Sequence, residues 1–399
     1  MIIFAGSLNI IYTVLLKRVH CLQPSGYPFS LLIYKNYKME EEMELLKNTL
    51  NAIQPADLKT KELTKEKWDG LVKPMGSLGR LEDVAIKIAG ITGKVENVIE
   101  KRVIVVMASD NGIVEEGVTS TPQIITSLLT EGMVKGITGV ATLARFVNSD
   151  LVTVDIGLNS DFNHPEVLMR KIAYGTKNFT KGPAMSYEEA IKSIEVGIEI
   201  GDQLFAQGYE IIGTGELGMG NTTTSAAVLS VFSGLDVSLT CGKGAGITEE
   251  QYDKKKNTIL KGIELNKPNK EDPIDVLSKV GGFDIGGMCG LFLSGAKNRI
   301  PVVVDGFISS AAALCAVKLN PHVKDYLIPS HLSDEPGSRY LLDELGLAPM
   351  LDMNMRLGEG SGCPLAFQII DAALYTQENM GTFQQATIDS SILVDIREE

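Results

Sequence analysis

The stretch Glu210–Ala227, EIIGTGELGMGNTTTSAA, begins with an apolar pair, Ile211 and Ile212, and runs into four glycines at 213, 215, 218 and 220. Asn221, three threonines and a helix-forming run follow. This order reads as strand, tight loop and helix N-terminus. Such a turn presents unpaired backbone N–H groups and the positive end of a helix dipole, a setting suited to a phosphate. A single carboxylate, Glu216, stands in the middle of the loop. A loop that only holds phosphate has no use for a negative charge, so the stretch asks for a second task.

The same rhythm recurs on both sides. Apolar runs at 103–107, 151–154, 301–304 and 326–328 each end in a polar cluster. Those clusters are Ser109-Asp110-Asn111-Gly112, Asp155-Ile156-Gly157, Asp305-Gly306-Phe307 and Ser330-His331-Leu332-Ser333. Helix-like segments at 123–136, 187–207, 222–232, 249–265, 285–297 and 308–319 separate them. A further strand is expected at 236–241. Short apolar strands alternating with helices indicate parallel βαβ units, hence an α/β fold on a doubly wound parallel sheet. Ligands of such sheets lie outside the carboxyl ends of the strands, where these polar clusters gather.

Composition narrows the function. The 399 residues are 44% hydrophobic and 22% charged, an ordinary globular balance, and the net charge of −13 argues against nucleic acid as a partner. Five cysteines without CxxC spacing fit a reducing, cytoplasmic compartment. Four scattered histidines form no ligand pattern, so neither a metal nor a cofactor is expected. Residues 1–38 read either as a membrane-associating extension or as upstream translation, with a helical start at Met39. They are expected to stand outside the fold.

Several patterns stay open on residues alone. Gly213-Thr214-Gly215-Glu216-Leu217-Gly218 matches the dinucleotide fingerprint G-x-G-x-x-G, but Glu216 would face the pyrophosphate. Lys73–Arg80 is either a helix connector or an anion clamp. Gly242–Gly246, followed by Lys254, Lys255 and Lys256, is either a flexible loop with a solvated face or a phosphate contact. Glu359, within Arg356–Gly362 (RLGEGSG), is either an exposed loop acid or a general base raised toward neutrality by an apolar crevice. Glycine loops plus isolated carboxylates, with no Ser/His/Asp set, suit glycosyl transfer at a phosphorylated ribose.

Seven collinear pieces together resemble one family. They are KPMGSLGRLE (73–82), SDNGIVEEGVTSTP (109–122), GTKNFTKGPAM (175–185), GELGMGNTTTSAA (215–227), RIPVVVDGF (299–307), SHLSDEPG (330–337) and RLGEGSG (356–362). The chain resembles the nicotinate-nucleotide–dimethylbenzimidazole phosphoribosyltransferases, which make the lower-ligand nucleotide of cobalamin. The resemblance implies a large α/β nucleotide-binding domain, 101–349, and a smaller helical domain built from both chain ends, 39–100 and 350–399. It implies a homodimer, or a heterodimer with a paralogue, that binds nicotinate mononucleotide and an aromatic base.

It further implies that Glu359 is the general base and that Glu216 faces the ribose and leaving group. Phosphate and ribose are expected at Gly215, Gly218, Gly220, Asn221, Thr222, Lys255 and Ser333. The acceptor pocket is expected at Thr119, Ser120, Thr121, Ser127 and Leu357. Ser127 stands where relatives have Gln, and Asn111 where some have His. Alternatives to the benzimidazole reaction are the same chemistry on phenol or p-cresol, and a non-catalytic subunit of a heterodimer.

Overall fold

The computed structural model describes residues 43–389, residue 245 excepted, together with residue 395. The expectations for residues 1–38, and the first four residues of the helix expected from Met39, lie outside these. Strands β1 (Arg102–Ser109), β2 (Asp150–Gly157), β3 (Val167–Met169), β4 (Ile211–Leu217), β5 (Val302–Val304) and β6 (Leu327–Pro329) form one sheet. All its pairings are parallel and its order is β3-β2-β1-β4-β5-β6. The chain winds outward one way from β1 and the other way from β4. The reversal therefore falls between β1 and β4, and a crevice opens at their carboxyl ends. Met107 of β1 sits opposite Glu216 of β4 in the register, so Glu216 stands at that crevice.

Period-2 alternation sends Ile104, Val106 and Ala108 into one core layer. They pack there with Met133, Val140, Ala144, Phe367 and Ile370. The opposite face is covered by the helix Phe283–Asn298, which packs on β1, β2 and β4 and against the helix Tyr187–Ala206. A capping box closes the start of the latter, with Ser186 accepting from the Glu189 N–H and Glu189 reaching back.

Chain ends meet as well. The helices Leu58–Asp69 and Arg80–Thr92 pack together, and Arg80–Thr92 packs on Gly362–Asn379. Trp68 Nε1 donates to Gln377 Oε1 at 3.1 Å, and Leu71 forms an antiparallel bridge with Thr382. Between the first two helices, Lys73 is buried 2.8 Å from Glu82 in the first turn of the second, which offsets its charge, while Arg80 is exposed.

Two strand expectations need correction. Residues 236–241 are helical over Val237–Thr240, because the Asp236 side chain caps the turn by accepting from the Ser238 N–H at 2.8 Å. The alternation of Val237, Leu239 and Cys241 imitates a strand that is never paired. β4 also extends five residues beyond Ile212, so Gly213, Gly215 and Glu216 belong to the strand rather than to a loop. The G-x-G-x-x-G match is thus a strand segment and cannot cradle a pyrophosphate.

Candidate active site

A cleft of about 360 Å³ lies at the switch between β1 and β4. Of the residues expected at a site, Thr119, Ser120, Thr121, Glu216, Gly218, Gly220, Asn221, Thr222, Ser333, Leu357 and Glu359 line it. Three do not. Ser127 points aside and shares a 2.9 Å hydrogen bond with Ser160. Lys255 is buried behind the cleft and donates to Thr222 Oγ1 at 2.8 Å and to the Gly242 carbonyl at 2.9 Å. Gly215 lies inside β4, where a Cβ would collide with the backbone of Glu359. Its bare backbone is the floor on which the Glu359 loop rests.

One corner of the cleft is made of backbone. Gly218, Met219 and Gly220 turn the chain from β4 into the helix Asn221–Ser233. Gly220 holds a left-handed φ of 88° and no side chain caps that helix. The Asn221 and Thr223 N–H groups bond back to the Gly218 and Gly220 carbonyls at 3.3 and 2.9 Å, and the positive end of the helix dipole borders the cleft. Lys243 and Gly244 border the same corner. The Lys255 bridge ties the Gly242 loop to the helix start, and burial pushes its ammonium pKa down. The sequence expectation of a phosphate contact from this loop therefore meets two lysines with different placements: Lys243 on the wall and Lys255 beneath it.

Carboxylates crowd the centre. Glu216 is pushed up to about 8 by burial first, then by the neighbouring charges of Asp284 and Asp305. It accepts from the Asn221 side-chain amide and from the Glu359 N–H, the latter at 3.3 Å. Asp305 follows β5 and accepts from the N–H groups of Gly362 at 2.7 Å and Gly360 at 3.1 Å, at the start of the helix Gly362–Asn379. Burial still raises it to about 7. The Ser330 hydroxyl donates to its carbonyl at 2.7 Å and also meets His331 Nδ1 at 3.0 Å. Asp305 and His331 are lining residues that sequence reasoning left unassigned. The signal for Asp305 was its place directly after an apolar strand, shared with every other strand end.

Glu359 differs in its backbone. It takes a φ of 63° between Gly358 at 77° and Gly360 at 92°, three consecutive residues on the left-handed side. A non-glycine residue there is strained, a state that persists where the surroundings over-determine it. The surroundings are specific. A Cβ on Gly358 would strike the Glu216 carboxylate. The Glu359 carboxylate reaches the start of the helix Gly139–Phe146 and accepts from the Val140 N–H at 3.1 Å. Burial raises its pKa, and the N–H groups of Val140 and Gly139 oppose that rise. Apolar Val118, Ile125, Leu129 and Leu357 line the wall beside it, a slot of the kind a flat aromatic ligand fills.

A parallel sheet that gathers a helix start suited to an anion, an apolar slot and buried carboxylates into one cleft has the construction of a phosphoribosyl-transfer enzyme. Comparison with known proteins agrees. Residues 53–388 match a family model described as phosphoribosyltransferase. The nicotinate-nucleotide–dimethylbenzimidazole phosphoribosyltransferase of Clostridium tetani is 55% identical over 90% of this chain and 99% of its own. A protein of the same name from Clostridium perfringens is 51% identical over 89% of this chain and 98% of its own. Among solved structures, CobT from Thermus thermophilus superposes with a TM-score of 0.79 at 34% identity, covering 83% of this chain and 99% of that one. The chain belongs to the nicotinate-nucleotide–dimethylbenzimidazole phosphoribosyltransferase family.

Proposed function

We propose that this protein transfers 5-phosphoribose from nicotinate mononucleotide to 5,6-dimethylbenzimidazole or a closely related base, forming an α-ribazole phosphate. The observation that carries this reading is the pair of glutamates, Glu216 and Glu359, set beside a helix N-terminus without a side-chain cap in one cleft. The 5′-phosphate docks at Gly218–Gly220 and the N–H groups opening the helix Asn221–Ser233, with Thr222 and Ser333 at its edge. The aromatic acceptor occupies the slot of Val118, Ile125, Leu129 and Leu357, beside Thr119, Ser120 and Thr121.

The bond between ribose C1′ and the pyridinium nitrogen then breaks, and nicotinate leaves with the bonding electrons as a neutral ring. No general acid is required. Positive charge spreads over C1′ and the ring oxygen, and ionised Glu216 stabilises it. Glu216, raised to about 8 by burial and by Asp284 and Asp305, favours its protonated form at neutral pH. A bound pyridinium cation favours the ionised form, so substrate binding itself charges this acid. The acceptor nitrogen attacks C1′ from the opposite face, which inverts β to α. Glu359 takes the ring N–H proton that the acceptor must lose.

Trp68–Gln377 and Leu71–Thr382 support a small helical domain assembled from both chain ends around the larger nucleotide-binding one. Exposed Ile124, Leu128, Ile137 and Phe146 support a homodimer, and the free, buried cysteines among the described residues support a cytoplasmic location. Purified protein given nicotinate mononucleotide and dimethylbenzimidazole should release one nicotinate per α-nucleotide formed. No release with any aromatic acceptor would overturn the proposal.

A further inference from the structure

Behind the cleft lies an acid that the reaction scheme above does not use. Asp284 is fully buried at the start of the helix Phe283–Asn298 and does not line the cleft. Its Oδ2 accepts from Asn221 Nδ2 at 3.3 Å, and the same Nδ2 donates to Glu216 Oε2. One amide group thus spends both its hydrogens on two buried carboxylates. With an acceptor on each side, the carboxamide cannot rotate without turning its oxygen toward a carboxylate oxygen. Burying an acid beside another acid is costly, so a bland core position is better filled by an apolar side chain.

The far side of Asp284 is equally specific. The N–H groups of its own helix start, at Asp284 and Ile285, act on its carboxyl. Among the described residues no other group reaches its Oδ1, nor does any group reach either polar atom of the buried Asn111 amide. A Cβ on Gly282 would collide with both Asp284 Oδ1 and Asn111 Oδ1. Asp284 therefore sits in a polar seat that admits no bulk and is anchored by its own helix start.

We propose that Asp284 is a positioning residue that acts on Glu216 through the Asn221 carboxamide, fixing the donor that holds Glu216 toward the ribose. This rests on the phosphoribosyl-transfer reading for its consequence but not for its geometry. Glu216 is then clamped between two donors, Asn221 Nδ2 on one oxygen and the Glu359 N–H on the other. The charges acting on the pair come from their own repulsion, from Asp305 after β5 on Glu216, and from Asp110 after β1 on Asp284. Removing the Asp284 charge lowers the pKa of Glu216, whereas removing the Asn221 donor raises it.

Carboxyl ¹³C NMR on the full chain labelled at the glutamate side-chain carboxyl tests this without relying on turnover. The Glu216 signal is the one lost in Glu216→Gln. In Asp284→Asn its titration midpoint should move to lower pH by about 1, and in Asn221→Ser it should move to higher pH. Turnover of Asp284→Asn should fall about tenfold with KM for the acceptor unchanged. A loss of turnover on Asp284→Asn that is as large in the Asn221→Ser background as in the wild type overturns the proposal, because a residue acting through the carboxamide has nothing to act on once it is gone. If Asp284→Asn does not fold, Asp284→Glu is read in the same way. Moved midpoints in a protein that transfers no phosphoribose would uphold the Asp284 link and defeat the functional reading instead.

Discussion

Two stretches of this chain place a single glutamate among glycines, and they differ in almost every physical respect. Glu216 ends a regular strand. It is wedged among Asp284 and Asp305, braced by two donors and pushed up to about 8. Glu359 sits in a left-handed turn between two positive-φ glycines, with its backbone against that cluster. Its carboxylate rests on the start of another helix. The first environment favours the protonated acid, through burial and neighbouring acids. The second leaves a carboxylate whose pKa is raised by burial alone and countered by backbone donors. Identical residues with similar neighbours in sequence thus suit opposite duties, one toward the departing base and one toward the incoming base. The two are joined directly, because the backbone N–H of Glu359 is one of the donors that hold Glu216.

The largest expected effect is on the side of the incoming base. Glu359→Gln should lower turnover by roughly 10² or more, as loss of a general base does. It should leave the KM for nicotinate mononucleotide nearly unchanged in steady-state assays. An unchanged turnover would remove Glu359 from proton transfer. Glu216→Gln breaks the comparison from the other side, and stability reads it. A buried acid at about 8 keeps its proton in the folded state, whereas unfolded glutamate loses it near about 4.3. The folded state binds the extra proton, so this contribution is full below the unfolded value and fades as pH rises to about 8. Urea unfolding at pH 5 and pH 8 should show a smaller difference for Glu216→Gln than for the wild type. Part of the difference remains in the variant, because Asp305 and Asp284, at about 7 and about 6, act with the same sign. An identical pH dependence would show that Glu216 is already ionised across this range.

A smaller effect separates the phosphate corner from both carboxylates. Gly218→Val places bulk against the Ser109 carbonyl and beside Asn111 and Asn221. Calorimetric binding should weaken about tenfold for nicotinate mononucleotide and little for the acceptor. Equal losses would mean that no local phosphate site exists there.

Much of this was legible in the sequence, for reasons that can be named. β1, β5 and β6 are continuous apolar runs and β2 nearly so, because a parallel sheet covered on both faces buries most of its residues, and each is followed by a polar cluster that marks the crevice. β4 showed only its first two residues as apolar. β3 was invisible, since three residues, Val167–Met169, carry no period. Val237–Thr240 was misread because four residues of alternation also fit a strand, and only the Asp236 cap decides. Glu216 and Glu359 stood out as lone charges among glycines. Asp284 and Asp305 did not, because their meaning depends on partners far off in the chain: Asn221 is 63 residues from Asp284, and Gly362 is 57 from Asp305. Gly215 was read as a loop residue for the same reason, although its role is to admit the backbone of Glu359.

The division of labour between the two glutamates is tested most directly by the pH dependence of kcat at saturating nicotinate mononucleotide and dimethylbenzimidazole, in wild type, Glu216→Gln and Glu359→Gln. Turnover should rise along an acidic limb as Glu359 ionises. That limb should persist, at lower rate, in Glu216→Gln and disappear in Glu359→Gln. A limb that survives in Glu359→Gln and vanishes in Glu216→Gln would contradict the assignment.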